Sequence, residues 1–68
     1  MSIFRIIHPN GCQAQVRALR ERIAIDLLVS TLHDDDWEFG QTSVISQETG
    51  PAAILMIGTP QIPTHQAK

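Results

Sequence analysis

The sequence predicts a short β-α-β protomer, α/β or α+β in class, with parallel strands and a C-terminal hairpin, that assembles into an oligomer. Three observations predict it. Ile3 to His8 alternates with the period of a strand. Gln13 to Leu32 contains no glycine or proline and carries apolar residues at helical spacing. The chain has 68 residues, 43% of them hydrophobic, and a single cysteine. A domain of this size usually needs a disulfide, a metal or a partner subunit to hold it. One cysteine excludes an internal disulfide, and no Cys/His set has zinc spacing, which leaves the partner subunit.

In the opening strand, Ile3, Arg5 and Ile7 share one face, and Phe4, Ile6 and His8 the other. Pro9-Asn10-Gly11 is turn chemistry, with Asn10 placed to cap the next element. The helix expected over Gln13–Leu32 carries two apolar stripes. Val16, Leu19, Ile23 and Leu27 form one; Ala18, Ile25, Leu28, Val29 and Leu32 form another on nearly the opposite face. One small sheet covers only one of them, so the second asks for another subunit. His33-Asp34-Asp35-Asp36 lies beyond the helix, because carboxylates are unfavourable at a helix carboxyl end. A second strand falls within Trp37 to Gln47, clearest at Thr42-Ser43-Val44-Ile45, and Glu48 to Pro51 is a turn or loop. Ala52 to Ile57 is a third apolar run, a hairpin or strand at an interface, ended by Gly58-Thr59-Pro60. Residues 1–60 thus read as one β-α-β domain and 61–68 as a loose tail. A helix of this length joining two strands implies a parallel pair and a right-handed crossover.

Composition narrows the function classes. The formal net charge is −2, and Arg17, Arg20 and Arg22 are interrupted by Glu21, so no nucleic-acid footprint is expected. The longest apolar run is far too short to cross a membrane. No signal-peptide pattern opens the chain, and the lone cysteine suits a reducing cytoplasm. The acidic run beside His33 is expected to be a solvated loop, because metal ligands so close together on a loop need distant partners. Neither a metal nor a cofactor is expected.

Three stretches resemble the tautomerase superfamily, the group of 4-oxalocrotonate tautomerase. They are the opening strand from residue 2 to Asn10-Gly11, the helix ending at Leu32, and "SVISQETGPAAILMIGTP". The last is similar to the family's second strand, acidic position and apolar hairpin. The resemblance implies a hexamer, or a hetero-oligomer with a related, proline-bearing chain. It also implies keto-enol isomerisation of small enol or keto acids by a terminal proline exposed when methionine is removed. The departures are as specific: Ser2 stands at the proline position, Cys12 where the family has a substrate-binding arginine, and Ser43 near a second arginine position. The family's hairpin aromatic is replaced by Leu55 or Met56, and its paired glycines by Gly58-Thr59.

The candidate residues follow. Ser2 is a catalytic candidate if methionine removal frees its amine, since a buried α-amine serves as a base near neutral pH. Glu48 matches an acidic position and is placed to polarise water or hold Arg5. Arg5 is a candidate carboxylate ligand, His8 a proton shuttle, and Cys12 a reactive thiol if it opens a helix, whose positive end favours thiolate. Leu55 and Met56 would line an apolar pocket or pack on a neighbour. Three readings remain open: a weak or altered tautomerase, a non-catalytic subunit, and a small regulatory or inhibitory binding protein.

Overall fold

In the computed structural model, which describes residues 1–58, β1 spans Ser2–Ile7. Phe4, Ile6 and His8 are buried and Arg5 and Ile7 exposed, as read, but Ile3, expected on the face of Arg5 and Ile7, is buried as well, where the β1–β3 register shifts. The first six residues of the expected helix are instead a strand, β2, Gln13–Ala18. β2 pairs antiparallel with β1, from Ser2 opposite Ala18 to Ile7 opposite Gln13. Ala14, Val16 and Ala18 point inward and alternate with the less buried Gln13, Gln15 and Arg17. Over so short a stretch, period two fits the residues as well as period 3.6, and the turn decides between them.

That turn is a three-residue hairpin loop. The His8 N–H donates to the Cys12 carbonyl at 2.7 Å and the Gly11 N–H to the His8 carbonyl at 2.8 Å. Gly11 sits at φ 99°, a conformation side chains disfavour and three-residue hairpins need. Asn10 caps this turn and not a helix: its Oδ1 accepts from the Cys12 N–H at 2.8 Å.

The helix is shorter than expected: α1 spans Glu21–Leu32. It ends at the expected residue, with His33 in the left-handed region at φ 55° and its N–H bonded to the Val29 carbonyl. A 3-10 helix, Asp35–Phe39, follows, capped by the Asp34 side chain. β3 spans Gln41–Gln47 and pairs antiparallel with β1. β4 spans Ala53–Gly58 and pairs antiparallel with β2. The sheet order is β3-β1-β2-β4.

The class is α+β, and three expectations are corrected. Every hydrogen-bonded strand pair among the described residues is antiparallel, so the expected parallel pair does not form there. β2 and β3 both oppose β1, so they run parallel to each other with β1 between them, and the β-α-β unit survives only in this split form. The apolar run near the carboxyl end is one edge strand and not a hairpin. The two helical stripes reduce to one, because Val16 and Ala18 belong to β2. Ile25 and Leu28 join Phe4, Ile6, Val16 and Trp37 in a single core, with Leu27, Val29 and Leu32 packed against it. The second stripe, expected to need another subunit, is the one packed in or against the core, and of the first stripe Leu19 and Ile23 stay exposed. The expected tail, 61–68, lies outside the described residues.

Glycine at position 40 has a steric cause. A Cβ there would overlap the Ile7 carbonyl, where β3 comes in beside β1.

Leu28 has no exposed surface and is the largest fully buried side chain of the helix. Leu28→Ala is expected to lower the unfolding free energy by about 2–5 kcal/mol, read from the midpoint of urea denaturation.

Candidate functional site

The clearest polar constellation lies where the β1–β2 turn meets the 3-10 helix. β1 carries His8 inward, and the ring is 6% exposed. Its Nε2 lies 2.9 Å from Asp34 Oδ2, and its Nδ1 accepts the Asn10 N–H at 3.0 Å. Trp37 meets the ring edge-on, with centroids 4.7 Å apart and planes at 80°. Asp34 is shared: its Oδ1 accepts the Asp36 N–H at 3.0 Å. One histidine therefore ties the strand end, the hairpin turn and the start of the 3-10 helix together.

The partners determine the ring's protonation pattern. A backbone N–H always donates, so Nδ1 has to accept, and the proton sits on Nε2, facing Asp34. This bears on metal binding, because His8, Asp34 and Asp36 place ligand atoms within 4.8 Å of one another. The distant partner missing from the acidic loop is thus His8. A metal on Nε2 would require the proton to move to Nδ1, where a metal-bound histidine normally donates it outward. Asn10 faces that nitrogen with a donor, so the cluster is built as a structural tie.

A second constellation sits at the other end of the sheet. The Met1 ammonium donates to the Glu48 carbonyl at 2.7 Å, and the Glu48 N–H donates to the Met1 carbonyl at 2.8 Å. The β1–β3 ladder thus extends to the first residue of the chain. The Glu48 side chain takes Arg17 Nη1 at 2.9 Å, and Arg17 Nε donates to the Pro51 carbonyl at 2.9 Å. Arg17 straps down the loop that carries the chain from one sheet edge to the other. The Ser2 hydroxyl accepts from Gln47 Nε2 at 2.9 Å.

The predicted site residues are therefore spread out. Ser2 and Glu48 lie at one end of the sheet and His8 and Cys12 at the other. Arg5 is exposed between Gln15 and Ser43 on the sheet face away from the helix. Glu48 holds Arg17 and not Arg5, and Asp26 pairs with Arg22. Cys12 lies on the hairpin, so the argument from a helix amino end does not apply to it. Leu55 and Met56 are on the β4 edge, 42% and 41% exposed. An open cleft of about 300 Å³ lies beside the hairpin turn, lined by Ile7, His8, Pro9, Gly11, Phe39, Gly40 and Gln41. Of the predicted residues only His8 borders it.

Sequence reasoning missed the His8–Asp34 and Arg17–Glu48 pairs. Their partners are 26 and 31 residues apart, and no spacing rule links them. No protein-family model, curated protein or solved structure matches the chain.

Two outcomes are expected. Nitrogen-15 spectra at neutral pH should show the His8 proton on Nε2. A double-mutant cycle of His8→Ala with Asp34→Ala should give a coupling of about 1–2 kcal/mol, toward the low end for a hydrogen bond to a charged group because Asp34 stays part-exposed. Separately, a form beginning at Ser2 should unfold at lower urea than the form retaining Met1, because it loses both bonds between Met1 and Glu48.

Proposed function

We propose that this chain is a small interaction module, the binding-protein reading among the three, which acts by offering a sheet edge to a protein strand. The observation that carries it is β4. An edge strand leaves a row of backbone N–H and C=O groups without partners, and proteins normally blunt such edges with charge, proline or a covering segment. β4 reads Ala53-Ile54-Leu55-Met56-Ile57-Gly58 and contains no charge and no proline. Leu55, Met56 and Ile57 are each more than 40% exposed. Among the described residues its one protective device is a bulge between the pairs Gln15–Met56 and Val16–Ile54. The other edge, β3, carries glutamine, serine and threonine at most positions.

A tautomerase-type reaction needs a free terminal amine in a pocket beside groups that bind a carboxylate. The candidate amine, that of Ser2, lies at the end of the sheet away from the cleft, and Arg5 lies on the open sheet face. The interaction reading uses what is exposed, whereas the tautomerase reading would have to rearrange it.

Two measurements test the proposal. Ketonisation of phenylenolpyruvate should show no rate above background with the protein, and enzymatic turnover would overturn the proposal. In an amide-shift titration with a lysine-flanked peptide of alternating valine and threonine, the shifts should gather on β4 and its neighbour β2. An unchanged β4 at millimolar peptide, in protein that sedimentation shows to be monomeric, would also overturn it.

A further inference from the structure

Resting on that reading, we infer that the occupant of the β4 edge is a second copy of the same strand, paired antiparallel about a two-fold axis near Met56. The unpaired backbone row accepts only another extended segment. β4 itself is such a segment, and it is uncharged, so two copies of this acidic chain meet there without like charges in the seam. Antiparallel self-pairing is closed by symmetry: each strand gives and receives the same contacts, and no further edge of that kind is left.

The register follows from exposure. The three exposed apolar residues are Leu55, Met56 and Ile57. An axis at Met56 sets Met56 opposite its copy and Leu55 opposite Ile57 of the partner, which is the one register that pairs all three. Met56 lies opposite Gln15 and so on the open sheet face; Ile57 lies opposite Ala14 and so on the helix face. The seam is therefore apolar on both faces. The result is an eight-stranded sheet, twice the four strands of one chain, and a larger apolar core than so short a chain holds alone. In this register five residues of each strand, Ile54 to Gly58, pair with the copy, which buries less than the roughly 800 Å² per partner of a standard interface, so the dimer is expected to form at micromolar concentrations and to dissociate on dilution.

Sedimentation of the full chain across a concentration series should show a monomer–dimer equilibrium. Met56→Lys, at an exposed position, should shift it to monomer, while Ser43→Lys on β3 should leave it unchanged. Nitroxide labels in a Cys12→Ser background then read the register. With Met56→Cys the paired Cα atoms are about 5 Å apart, giving strong spin–spin coupling; with Ala53→Cys they separate to on the order of 20 Å. Dimers with that pattern support the proposal. A dimer indifferent to Met56→Lys, with weak coupling at position 56, overturns it. A monomer at every concentration whose β4 amides exchange freely overturns the second copy but leaves the open-edge reading standing. A monomer whose β4 amides are as protected as those of β1 overturns both.

Discussion

Everything in this molecule depends on the turn at Pro9-Asn10-Gly11. Gly11 takes a positive φ, Asn10 caps the turn from within, and β2 is folded back on β1. Once that pairing exists, β1 has one free side left, and β3 takes it. The first strand of the chain becomes a central strand, bonded along both sides. A terminal segment held this way does not fray, and the bonds between Met1 and Glu48 extend the hold to the first residue.

The two polar constellations sit at opposite ends of that central strand and do comparable work. At one end, buried His8 joins the turn to the 3-10 helix. At the other, Arg17 and the Met1 backbone hold the loop that carries the chain past β1 and β2. Both use polar side chains or terminal groups to satisfy connections that the small core cannot cover. Neither has the convergence of nucleophile, base and charge-stabilising groups on one open space that chemistry requires. The strand edges are where the fold leaves chemistry unused: the backbone row of β4, bordered by apolar side chains, is the least satisfied surface among the described residues.

This arrangement also accounts for how the apolar content is distributed. A chain with 43% hydrophobic residues buries Ile6, Val16 and Leu28 completely and leaves Ile57 and Val44 about half exposed. One twelve-residue helix cannot cover a four-stranded sheet. It lies mainly over the central strands and β4, and the edge residues project past it.

The sequence by itself determined the period-two pattern of β1, the turn after it, the carboxyl end of the helix at Leu32 and the breaks before β3 and β4. Each is a local property of side-chain alternation, φ preference or charge near a helix end. The helix start was not legible, because Gln13 to Ala18 satisfies two periods at once and nothing within the stretch chooses between them. The choice came from outside the stretch, when the turn folded it back on β1 and set Ala14 opposite Ile6 and Val16 opposite Phe4. The same turn decided the antiparallel pairing: with β2 placed directly after β1, the helix connects β2 to β3, and both lie against β1. The partners of His8 and Arg17 were decided in the same way: contacts between residues far apart in the chain exist only once the sheet has brought them together.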